Sequence, residues 1–141
     1  MSDFKEDDLR NAMSEIAMAC CAMEVDPSYA RNVAALEEFG LSVYPEDFAE
    51  AKIKTKEQLR KRSSSAEGKD DERDAYRRGL HFFAAGVAYL RSARSHTDAA
   101  RGKAVGDQVF NKEGKSEFED RILLVEAAIK TEHAEKQVVT K

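Results

Sequence analysis

An all-α fold is predicted, a compact helical bundle of about five to six helices in a single domain spanning 1–141, with the helix over residues 72–95 central. Three observations predict it. Only two prolines and seven glycines punctuate the 141 residues, too few turn formers for a many-stranded sheet. Apolar residues make up 42% of the chain and charged residues 35%, with abundant Ala, Glu, Lys, Arg and Leu, a balance that suits helices with long solvated faces. Apolar positions also recur at spacings of three and four through most of the chain.

The first helix is expected over about Asp3 to Glu24, with Leu9, Ala12, Met13, Ile16, Cys20 and Met23 on one face. From Ile16 to Met23 it is apolar all round, which requires cover from several neighbours. Met13, Met18 and Met23 recur at a spacing that walks around the helix, so only some of them can face the core together. Asp26 and Pro27 offer an N-cap and a first-turn proline for a second helix. Gly40 is expected to end that helix in the left-handed conformation, with Leu41 as the closing apolar contact. Pro45, Glu46 and Asp47 open a third helix, whose thin stripe of Phe48, Ala51, Thr55 and Leu59 marks it as peripheral. Residues 63–71 carry small and charged side chains without periodicity and predict a loop, the place for a hinge.

Helix four is expected over about Glu72 to Ser95, with Tyr76, Leu80, Phe83, Val87 and Leu90 as its core stripe and Phe82 and Tyr89 widening it. Gly79 and Gly86 lie on nearly one face, where each costs helix propensity, so another backbone is expected to approach there. Thr97 and Asp98 can cap a short helix to about Val105. Gly106, Asn111 and Gly114 then predict an irregular connection carrying Val109 and Phe110. Ser116 and Glu119 form a capping box that opens the last helix, with Phe118, Ile122, Val125 and Ile129 as its stripe. The tail from about residue 136 is expected to fray.

Asp3, Glu6, Asp7 and Asp8 make the N-terminus acidic where a targeting segment would be basic. The longest uncharged apolar run, Leu80 to Leu90, falls well short of the ~20 residues of a membrane span. An intracellular, cytoplasmic protein without a membrane partner is therefore expected. Cys20 and Cys21 are adjacent, which is neither a disulfide framework nor a zinc-ligand spacing; buried, reduced thiols are expected. The histidines, His81, His96 and His133, form no metal-binding motif, and no metal or other cofactor is expected. Phosphate loops, nucleophile elbows and recognisable catalytic carboxylate pairs are also missing, so no catalytic residues are assigned.

Charge is strongly segregated. Residues 1–50 hold twelve acids against three bases, whereas residues 51–62 hold six bases and a single acid. Lys52, Lys54, Lys56, Arg60, Lys61 and Arg62 are accordingly the candidate partner-binding residues, meeting an acidic protein surface or another copy of the chain. Ser63, Ser64 and Ser65 follow as candidate phosphorylation sites, where added charge would cancel part of the cluster. A helix-turn-helix over residues 35–50 fails because Glu46, Asp47 and Glu50 would face phosphates. A calcium loop starting at Asn111 fails because Lys115 and Ile122 replace required ligands.

The expected function is that of a small non-catalytic interaction protein, an adaptor, inhibitor or accessory subunit of a larger assembly, acting through a charged helical surface. One alternative is a nucleic-acid-associated regulator using residues 52–62. The other is a ligand-binding or enzymatic bundle with a pocket beside His81 and Tyr89, although His81, between Leu80 and Phe82, reads first as a hydrogen-bonded core residue. A basic face free of acids favours nucleic acid, a polar cavity at His81 favours a ligand, and an exposed apolar patch favours a protein partner.

Overall fold

A computed structural model describes residues 4–62, 75–93, 95–110 and 115–139, for backbone alone at 4–5, 59–62, 115–116 and 136–139. The chain forms α1 (Phe4–Glu24), a 3-10 turn (Pro27–Tyr29), α2 (Ala30–Val43), α3 (Pro45–Arg62), α4 (Ala75–Ser92), α5 (His96–Val109) and α6 (Lys115–Val139). The fold is all-α, with no strand among the described residues, and no described helix is long and apolar enough to cross a membrane. The expected loop at 63–71 lies outside the described residues.

The Asp26 cap forms as expected: its carboxylate accepts the Ser28 backbone N–H at 3.0 Å and the Ser28 hydroxyl at 2.8 Å. It caps the 3-10 turn, which leads directly into α2. Helix α4 is central, but it shares that place with α1. Met13, Ile16, Ala17, Cys20 and Met23 of α1 are fully buried, because α4, α3 and α2 all pack around this apolar helix. Met18 is only half-buried.

The two α4 glycines mark the crossing. A Cβ at Gly86 would lie 2.7 Å from Ile16 Cγ1 and 3.4 Å from the Ala12 carbonyl oxygen, and one at Gly79 would overlap Met23 Sδ. Since Gly79 meets Met23 and Gly86 meets Ala12, α4 runs antiparallel to α1. It runs parallel to α6, as His81 meets Glu117 and Arg91 meets Glu126.

Two expected helix ends are corrected, both at glycines. Helix α2 continues through Gly40 to Val43 in right-handed conformation, and Leu41 is exposed. Gly40 serves packing instead: a Cβ there would lie 2.5 Å from the ring of Phe48, which drops in from α3. Likewise α5 continues through Gly106 to Val109, because the bare Gly106 backbone accepts the Phe118 ring from α6.

Ser95, rather than Thr97, stands at the start of α5, where its hydroxyl donates to Asp98 at 2.7 Å. Phe110, expected in an irregular connection, is fully buried at the end of α5. It joins Tyr76, Phe83 and Phe118, with Phe83 and Phe118 stacked at 6.1 Å and Tyr76 edge-on to Phe110 at 5.5 Å. This aromatic cluster ties α4, α5 and α6 together. The α6 backbone is helical to Val139, beyond the expected onset of fraying.

Candidate functional site

The basic segment does not form one free surface. Lys52, only 15% exposed along its side chain, reaches Glu37 of α2 at 3.1 Å and Glu24 of α1 at 3.2 Å. Burial works against its charge, but the hydrogen bonds to Glu37 and Glu24 outweigh that cost and hold its ammonium above the ordinary lysine range. Lys52 is thus an internal tie between three helices. Lys54 is exposed and pairs with Glu50 one turn back at 3.2 Å, and Lys56 is exposed. Lys54 also borders an open depression of about 430 Å3 between α1 and α3, lined by Arg10, Ser14, Asp47, Glu50 and Ala51, where both signs of charge alternate. The side chains of Arg60, Lys61 and Arg62, and all of Ser63, Ser64 and Ser65, lie outside the described residues.

His81 and Tyr89, two turns apart on α4, line a common open groove. It measures about 460 Å3 and is completed by Arg78, Phe82 and Ala85 of α4, Glu15 of α1, and Arg121 and Val125 of α6. His81 is half-buried at the rim rather than in the core, and its Nε2 lies 3.4 Å from Glu117, which also meets Arg77 at 3.7 Å. Burial, followed by the charges of Glu132, Glu15 and Asp8, raises the Tyr89 hydroxyl above its usual range. Burial alone pushes the Glu15 carboxyl up to about 7. Arg121 buries its Nε without a hydrogen-bond partner. The Arg78 guanidinium stands over the Phe82 ring at 5.8 Å.

Sequence reasoning missed a polar seam beside this groove. Asp8, almost fully buried, accepts the Ser92 hydroxyl at 2.9 Å and meets His133 Nε2 at 3.2 Å, linking α1, α4 and α6. Asp8 lies four residues before Ala12, in register with the apolar face of α1, which is the signal that could have found it. The Asp8 carboxylate thus bridges the Ser92 hydroxyl and the His133 imidazole.

Cys20 and Cys21 are buried and free, and burial raises both thiols, that of Cys21 to about 11, so neither supplies a reactive thiolate. Among the described residues, no group of three His, Cys, Asp or Glu could hold a metal ion.

A second missed feature is apolar. Leu123 and Leu124 of α6 are 61% and 59% exposed, side by side, with exposed Ala127 and Ala128 one turn on. The buried stripe of the same helix is Phe118, Ile122 and Ile129, so α6 carries apolar residues on two faces and its neighbours cover one. No protein-family model, curated protein or solved structure matches the chain.

Proposed function

We propose that this chain is a small helical interaction protein that docks through the outer face of α6, and that the occupant of this face is a second copy of the chain. The observation that carries the reading is the exposed pair Leu123 and Leu124, which nothing in the fold of one copy requires. Positions 120, 124, 127, 131 and 134 are all exposed and follow the alternating four and three spacing by which one helix seats against another.

The face is also self-complementary. A two-fold axis crossing α6 between residues 125 and 126 sets Leu123 and Leu124 against Ala128 and Ala127 of the second copy, large against small, and sets Asp120 against Thr131. Such reciprocity is what an isologous contact between antiparallel helices demands. Lys54 and Lys56 remain exposed and add attraction for an acidic surface, while the internal commitment of Lys52 weakens the nucleic-acid reading, which needs several free cations along one face.

Sedimentation velocity over a range of concentrations tests the proposal. The chain is expected to dissociate from dimer to monomer on dilution. Replacing Leu123 and Leu124 by Lys is expected to leave a monomer at every concentration with unchanged helical circular dichroism. A wild-type chain that stays monomeric at the highest concentration reached, or a double variant that dimerises as well as wild type, overturns it.

A further inference from the structure

The groove between α1, α4 and α6 combines two kinds of surface. Phe82, Ala85 and Val125 give it an apolar lining, whereas Arg78, His81 and Arg121 bring basic groups from two helices to its edge. We propose that this groove binds a small organic carboxylate with a flat apolar body, the carboxylate on Arg121 and the body against Phe82, Ala85 and Tyr89.

Arg121 is the strongest pointer. Its Nε is shielded from water yet has no hydrogen-bond partner, and a buried donor left unpaired is costly in a folded protein. A ligand reaches the terminal guanidinium nitrogens of Arg121 rather than that shielded Nε, and a carboxylate gripped end-on by both takes the two-pronged geometry that arginine offers and lysine does not. The volume of about 460 Å3 suits a two-ring ligand rather than a bare anion, since small-molecule sites are mainly apolar with a few placed polar groups. Tyr89 and Phe82 provide aromatic surface for the body.

Glu15 is the one acid on the lining, and its half-buried carboxyl, pushed up to about 7, repels an anion less at neutral pH than an ordinary carboxylate does. The proposal is independent of the α6 dimer, because Leu123 and Leu124 take no part in the lining.

The probe is 2-naphthoate, with naphthalene-2-carboxamide as a neutral body of the same shape, followed by isothermal titration calorimetry and amide chemical shifts on the full chain. Binding of 2-naphthoate is expected, with shifts concentrated at Phe82, Ala85, Tyr89 and Arg121, and the carboxamide is expected to bind at least about tenfold more weakly. R121Q is expected to lose about tenfold in affinity for 2-naphthoate but not for the carboxamide, and R121K to recover only part of the loss. A85L, which adds bulk to the apolar lining without altering charge, is expected to abolish binding of both compounds while circular dichroism stays unchanged. Absence of 2-naphthoate binding, equal affinity for the two compounds, or wild-type binding by folded R121Q or A85L overturns the proposal.

Discussion

Gly86 isolates one residue-scale question, whether a glycine inside a helix is tolerated or required. Adding a Cβ recovers up to about 1 kcal/mol of helix propensity. The same Cβ would meet Ile16 Cγ1 at 2.7 Å, a buried methylene on a β-branched side chain whose rotamer is stiff, with the Ala12 carbonyl close behind. Overlap is expected to win, so G86A should lower stability by about 1–3 kcal/mol, read from the urea midpoint. A higher midpoint would mean that the α1 and α4 backbones have room to spare.

Glu15 tests burial in the opposite direction. Its carboxyl rises from 4.5 to about 7 on folding, so the folded state binds the proton more tightly than the unfolded chain. The group therefore costs nothing below about pH 4, and it destabilises increasingly as pH rises from 4.5 to 7. E15Q is expected to match wild type near pH 4 and to exceed it by about 1–3 kcal/mol at pH 8, the partial exposure of the side chain keeping the gain at that level. A gain of equal size at both pH values would remove titration of Glu15 as its cause.

Within α3, two lysines on opposite sides make a matched pair of experiments. Lys54 and Glu50 are 69% and 66% exposed, the class of ion pair that contributes about 0–1 kcal/mol, and K54A should leave stability almost unchanged. Lys52 holds Glu24 and Glu37 from two other helices while shielded from water, and K52A leaves two acids facing each other. A loss of about 1–3 kcal/mol in thermal or urea unfolding is expected for K52A, and equal effects for the two variants would show that the three-helix tie is cosmetic.

Nothing in the linear order distinguishes these two lysines, because Glu24 and Glu37 reach Lys52 only after α1, α2 and α3 pack. The same limit explains Gly40. Its spacing cannot say whether it ends a helix or receives a ring, since Phe48 comes from the next element. By contrast, the start of the third helix and the stripes of α4 and α6 were legible, because Pro45 and the periodic apolar residues act through their own helix; the Ser116 side chain of the expected capping box lies outside the described residues.

For the molecule as a whole, the all-α class and the need for cover around α1 could be read from composition and periodicity. The functional surfaces could be read only in part. His81 and Tyr89 share a face of one helix and so pointed to one groove, but Glu15 and Arg121 belong to elements more than a hundred residues apart. The outer leucines of α6 sit beside its core stripe in sequence, and only the packed bundle separates covered from uncovered. If α6 pairs with its counterpart in a second copy, the unfolding temperature should also rise with protein concentration, because association favours the folded state by mass action.

The pairing of α1 with α4 has a consequence in time. Asp8 meets Ser92 across 84 residues of sequence, and the contacts at Ala12, Ile16 and Met23 wait for Gly79 and Gly86 in the same way. During synthesis α1, whose second half is apolar all round, is made more than fifty residues before its main partner. Until α4 is released, α1 has only α2 and α3 to shelter it. This arrangement makes the nascent chain sticky for an interval and raises the mean loop length closed at the folding barrier, so the bundle should fold more slowly than helical proteins held by neighbouring hairpins.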